Sequence, residues 1–328
     1  MGGDVQAVSP IALPRESWGG TLKRTIAEFR ADKLNHWGAA LTYYAVLSMF
    51  PAILVLVSLV GLFADPARVT KVLTDTVSQL GPDTAAQTFS GPITSITSNR
   101  GTAGVLFVVG VVSALWAASG YVSAFAEASN TIYEVEEGRP FWKLKPLQLL
   151  VTFAIIMMGA AVALALVLSG PIVGALGGAL GVSDTVLTLW RYAKWPMMLL
   201  LVLAIFGVLY YTSPNARVTG VRWVTGGAVL ALAAWIVASI GLALYAGNFG
   251  SYDKTYGTLG GVVVFLVWLW VTNMAILLGA EFNAETERAR QLHAGVHGAE
   301  ERLMMPEREA PSGERNGYRV EREEATRR

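Results

Sequence analysis

The sequence predicts an all-α, polytopic membrane bundle of six transmembrane helices with both termini in the cytoplasm. Three observations predict it. Of 328 residues, 53% are hydrophobic and only 15% are charged, whereas soluble domains carry roughly 25% charged residues. Mean hydropathy is +0.48. The charges are also clustered: Asp, Glu, Lys and Arg are absent from 37–64, 101–126, 146–183, 195–216, 223–252 and 255–280. Each gap exceeds the ~20 residues that span a hydrocarbon core of about 30 Å. One such run suits a buried core helix; six do not.

Residues 1–36 contain no apolar core of a signal peptide and carry Glu28 and Asp32, so the first span stays uncleaved and targets the chain itself. The cytoplasmic N-terminal segment 1–36 includes an amphipathic helix at 21–36, with Leu22, Ile26, Phe29 and Lys33 or Leu34 along one stripe. The membrane domain covers 37–283, with spans at about 37–63, 101–126, 147–168, 195–213, 223–247 and 257–281. Apolar residues at helical spacing in loop 65–100 predict one or two helices on the outer face. Ser169-Gly170-Pro171 ends the third span, and 171–192 is left open between re-entrant, interfacial and loop forms. The segment 284–328 is a charged cytoplasmic tail, largely disordered, although its first part, to about Leu303, can extend the last span as a helix. With both termini inside, the cytoplasmic side collects nineteen of the 25 Lys and Arg residues, as the positive-inside rule requires.

Composition excludes several functions. A net charge of +1 gives no basic body for nucleic acid, and the absence of cysteine removes thiolate catalysis and cysteine-bound metals. No phosphate loop, dinucleotide fingerprint or nucleophile elbow occurs. We therefore expect no catalytic residues, no cofactor and no metal site; His293 and His297, four apart in a charged tail, are a weak metal signal.

Polar groups inside spans are expensive and hence functional candidates. Span 1 offers Tyr44 and Ser48 on a small-and-polar stripe, with Pro51 freeing a carbonyl. Span 2 stacks Ser119, Ser123, Glu127 and Thr131 at four-residue intervals, and span 6 places Asn273 and Glu281 eight apart on one face. One reading joins them into a hydrophilic pathway or pocket with Glu127 and Glu281 as its ionisable members. The other treats the small and hydroxyl residues as helix packing, with both glutamates meeting water or pairing with Arg139 or Arg288. Gly257 and Gly261 match the small-x3-small packing spacing.

The motif order resembles the YihY/BrkB family of bacterial inner-membrane proteins, formerly labelled ribonuclease BN. The resemblance rests on Ala39–Pro51 (AALTYYAVLSMFP), Asn130-Thr131-Ile132-Tyr133, Arg139-Pro140-Phe141-Trp142-Lys143, Tyr210-Tyr211 with Pro214, Tyr256–Gly260, Trp268-Leu269-Trp270 and Leu277–Asn283 (LLGAEFN). It implies a six-span, multi-pass inner-membrane protein of uncharacterised activity. The partners expected are the lipid bilayer and a small solute or lipid substrate, without nucleic acid. Transport or export is the first function to consider. A non-catalytic envelope-integrity or virulence-associated role is the alternative, and a membrane-bound tRNA-processing ribonuclease ranks last. Phosphodiester hydrolysis needs metal ligands or a positioned acid–base pair, and three scattered histidines provide neither.

Overall fold

The computed structural model describes residues 15–63, 100–167, 183–218, 221–248 and 258–310. Among them it forms helices α1 (Arg15–Ala31), α2 (Leu34–Phe63), α3 (Arg100–Ile132), α4 (Phe141–Val167), α5 (Asp184–Thr212), α6 (Val221–Asn248) and α7 (Thr258–His293). No strand occurs among the described residues; one antiparallel bridge joins Ala216 to Glu307. Five helices are long and apolar enough to cross a membrane, over Val108–Ile132, Phe141–Ala163, Thr185–Thr212, Thr225–Tyr245 and Gly260–His293. The first predicted span falls on α2, whose 30 residues extend about 45 Å at 1.5 Å per residue. The predicted outer-face helices of loop 65–100, as far as residue 99, residues 168–182, and the tail beyond Ala310 lie outside the described residues.

Three boundaries differ from expectation, each for a local reason. The amphipathic helix stops at Ala31 rather than His36, because Lys33 adopts a left-handed backbone (φ 52) and Leu34 opens the next helix fully buried. The helix carrying the fourth span begins well before residue 195: α5 starts at Asp184, so residues 184–192 are helical and not a loop. The charged segment after the last span is not a free tail over its described part. Helix α7 runs to His293, and residues to Ala310 fold back onto neighbouring loops.

The chain divides into two compact units, 43–121 and the remainder. In the larger unit, α6 and α7 cross at Gly227 and Gly279, where a Cβ on either glycine would overlap the other's carbonyl oxygen. Glycine lets the backbones touch, and side chains lock the crossing. The Gly227 N–H donates to Asn283 Oδ1 at 2.8 Å, and Tyr210 OH donates to the Ile276 carbonyl at 2.7 Å. The predicted packing glycine Gly261 has open space around it. Trp235 and Trp268 join the same helices through Thr272 and Ser239 at 3.1 and 3.2 Å. In the smaller unit, the Tyr44 ring lies against Gly120, where an added Cβ would come within 3.0 Å of it.

Candidate functional site: a buried ionic cluster beside Glu281

Helix α7 keeps its helical geometry as its sequence turns from apolar to charged, so Glu281, Glu285 and Arg288, at i, i+4 and i+7, share a face. That face is packed inside the larger unit. Glu281 and Glu285 are each only 1% exposed, and Arg288 is 7% exposed. The Arg24 Nε donates to Glu285 at 2.8 Å, tying α1 to α7. Arg288 donates to the other oxygen of Glu285 at 2.8 Å and to Glu134 at 2.5 Å. Glu134 is a hub: its other oxygen accepts the Leu303 N–H at 3.0 Å, its carbonyl accepts Arg302 at 2.8 Å, and its backbone is left-handed (φ 52). Holding a non-glycine residue there costs about 1 kcal/mol or more, which the surrounding bonds must outweigh.

Within this cluster Glu281 stands apart. Its Oε2 is buried and has no hydrogen-bond partner among the described residues. The charges around it are Asp32 and Glu28 from the α1 end, and Glu285 and Arg288 from α7. Three carboxylates therefore face it against one guanidinium, which is itself engaged by Glu285 and Glu134. Asp32, in the turn between α1 and α2, has a pKa pushed up to about 6, first by burial, then by Glu28 and Glu134, with Arg288 opposing.

A second polar cluster at the same end of α3 and α5 contrasts with it. Arg139 grips Glu137 with two bonds of 2.7 and 2.6 Å and caps α5 through the Thr212 and Ser213 carbonyls at 3.2 and 2.7 Å. Asn130 donates to Glu137 at 3.0 Å and accepts the Asn215 N–H at 2.7 Å. Asn215 donates to the Glu136 and Glu309 carbonyls at 2.7 and 2.8 Å. The returning C-terminal segment adds backbone bonds from Arg217 to Pro306 at 2.8 Å and from Arg308 to Asn215 at 2.6 Å. Gly138 admits this segment, since any Cβ there would overlap the Glu309 carbonyl. Burial raises the Glu137 carboxyl, but Arg139 and Asn130 outweigh it and hold it below the usual carboxylate range.

The residues expected to form a pathway are placed as follows. Asn273 donates to Thr42 at 3.1 Å, linking α7 to the start of α2. Ser123 accepts a bond of 3.2 Å from Gln148. Glu127 is exposed, whereas Glu281 is enclosed. In the smaller unit, Ser48 and Ser119 donate to carbonyls of their own helices, Ala45 at 2.7 Å and Trp116 at 2.6 Å. Pro51 lies within α2, and its side chain falls outside the described residues. The residues not anticipated are Arg24, Asp32, Glu134 and Glu285. Only Glu285 has a sequence signal, the i, i+4, i+7 spacing with Glu281 and Arg288 that carries the buried polar face of α7 beyond its apolar stretch.

Residues 25–303 match the family described as virulence factor BrkB. The chain belongs to the BrkB family. It is 31% identical over 272 residues to a Bacillus subtilis (strain 168) protein named ribonuclease-like YfkH, covering 83% of this chain and 96% of that one. It is 26% identical over 284 residues to a UPF0761 membrane protein of Alteromonas mediterranea, covering 86% and 92%. A UPF0761 membrane protein of Photobacterium profundum is 25% identical over 280 residues, covering 82% and 84%. No solved structure matches. This BrkB-family chain is a multi-pass helical membrane protein, the class that occupies the bacterial inner membrane.

Proposed function

We propose that this BrkB-family protein moves a small solute or lipid across the inner membrane through a six-span bundle with cytoplasmic termini, and that Glu281 binds and releases a proton in that cycle. One observation carries the reading: the Glu281 Oε2 is buried without a donor among the described residues. A buried polar atom left without a partner costs roughly 1–3 kcal/mol, more when charged. A purely architectural helix end would dispense with such a group, as the Arg139 cluster does by pairing its charged members. Transporters keep ionisable groups of this kind because gaining or losing a proton changes which neighbours they attract.

A second reading, a non-catalytic envelope-integrity or virulence-associated role, draws support from Ser48, Ser119 and Thr131, which bond their own helix backbones. The ribonuclease-like name belongs to the Bacillus relative, and here the carboxylates are held among arginines within packed helices.

The deciding experiment compares metabolites and lipids in cells lacking the protein, cells carrying it, and cells carrying Glu281→Gln. The expected result is a compound class that accumulates or is depleted in the deletion and is not restored by the glutamine variant. Identical profiles in the deletion and parent strains would overturn the transport reading.

A further inference from the structure

An apolar groove of about 370 Å³ runs between α1, α6 and α7, lined by Ile26, Phe29, Ala234, Ala238, Met274 and Leu278 with Arg30 among its walls. We propose that this groove is a binding site for one acyl chain of an anionic phospholipid, whose phosphate is taken by Arg30. The site is separate from Glu281, and the proposal stands whether or not transport does.

The apolar stripe of α1 is only partly covered by the protein: Leu22 is 45% and Ile26 47% exposed and Phe29 half-buried, while Thr21 and Thr25 are fully buried. A helix that turns hydroxyls inward and aliphatic chains outward has an apolar solvent on that side, and in a membrane protein that solvent is lipid. The floor comes from Ala234 and Ala238 of α6, four apart on one helical face. Because these are alanines, the facing side chains of α1 and α7 leave a channel rather than interdigitating. The α6 and α7 walls belong to candidate spans, so the groove lies where alkyl chains are the abundant apolar species. Arg30, in the last turn of α1, is exposed and makes no ion pair among the described residues. Its cationic neighbour Arg24, one helical turn and a half away, is engaged by Glu285. An unpaired guanidinium at the edge of an apolar channel complements a phosphodiester headgroup with an attached chain, since it can offer two parallel donors to phosphate oxygens.

The test is native mass spectrometry of the full chain, equilibrated in detergent with equal amounts of phosphatidylglycerol and phosphatidylcholine of identical chains. The intact protein should retain one phosphatidylglycerol about tenfold over phosphatidylcholine. Arg30→Gln should keep a bound lipid but lose that preference. Ala238→Phe, which fills the floor, should retain no lipid at an unchanged thermal midpoint; Ala234→Phe serves equally if the first variant does not fold. Excess inorganic phosphate should not displace the lipid, since the chain supplies much of the affinity. Equal retention of both lipids by the intact protein, equal retention by the filled variant, or release by phosphate alone would each overturn the proposal.

Discussion

The two polar clusters at one end of the larger unit differ in what each leaves unpaired among the described residues, the Ser213 hydroxyl in one and a carboxylate oxygen of Glu281 in the other, and the difference separates architecture from chemistry. Around Arg139, carboxylate, amide, guanidinium and backbone groups satisfy one another, down to the α5 carbonyls that would otherwise be left over at its C-terminus. Around Glu281, Arg24 and Arg288 satisfy Glu285 and Glu134, and one carboxylate oxygen remains outside the pairing. Both are buried, and both lie near helix ends. A network whose charged members are all paired fixes geometry, whereas one that leaves an ionisable member open retains a group able to change state.

That comparison breaks if the closed cluster proves dispensable. Arg139→Ala should lower stability by about 2–3 kcal/mol, because it takes both guanidinium bonds from the half-buried Glu137 and uncaps α5, as read by thermal unfolding in detergent. A loss below about 1 kcal/mol would show that the cluster does not hold the helix ends. Asn215→Ala should cost about 2 kcal/mol. It removes the acceptor of the Glu309 N–H and two donations, one to the Glu309 carbonyl of the returning C-terminal segment and one to the Glu136 carbonyl. Limited proteolysis near residue 300 should accelerate in that variant.

The pH response sharpens the contrast, since the two clusters titrate oppositely. The Asp32 carboxyl lies at about 6 against an ordinary 3.8, so the folded protein binds more protons than the unfolded chain between these values. Stability from this group therefore declines as pH rises from about 4 through 6. Glu137, held below its ordinary value, contributes stability above that value and loses it only as pH falls further. Between pH 5 and 7 the melting temperature should fall with rising pH, and Asp32→Asn should flatten that slope. An unchanged slope would remove Asp32 from the cluster's electrostatics. Glu281→Gln should change stability by no more than about 1 kcal/mol, because the amide keeps the shape and relieves an unpaired carboxylate. The functional loss expected from it is then not a folding defect.

Much of this architecture was legible because crossing oil demands long stretches without charge, and such stretches are visible in one sequence. Glu281 and Asn273 stood out for the same reason. Glu134, Asp32 and Arg24 did not, because residues flanking a span normally meet water, and nothing in their own spacing says that a later segment will cover them. The return of residues 294–310 was missed for a related cause. Glu- and Arg-rich composition signals disorder when the charges are solvated, but here several are consumed by specific acceptors on distant loops, with Arg302 on Glu134 and Arg308 on Ala216. Gly138 was the nearest available clue, since only a missing side chain admits that backbone.

The smallest effect tests the principle most cleanly. Lys143 and Glu309 approach to 2.8 Å, linking the start of α4 to the returning segment, with the lysine side chain 59% exposed. By distance alone this bridge matches the Arg24–Glu285 pair, whose carboxylate is only 1% exposed. Water and salt screen an exposed pair, so Lys143→Met should shift stability by less than about 0.5 kcal/mol. Arg24→Met, which removes one of two donors from a buried carboxylate, should cost several times more. Raising the salt concentration should erase whatever Lys143 contributes and leave the Arg24 effect largely intact. Equal losses in the two variants would mean that burial does not set the strength of these bridges. The distinction between the closed cluster and the open Glu281 site would then have no energetic basis.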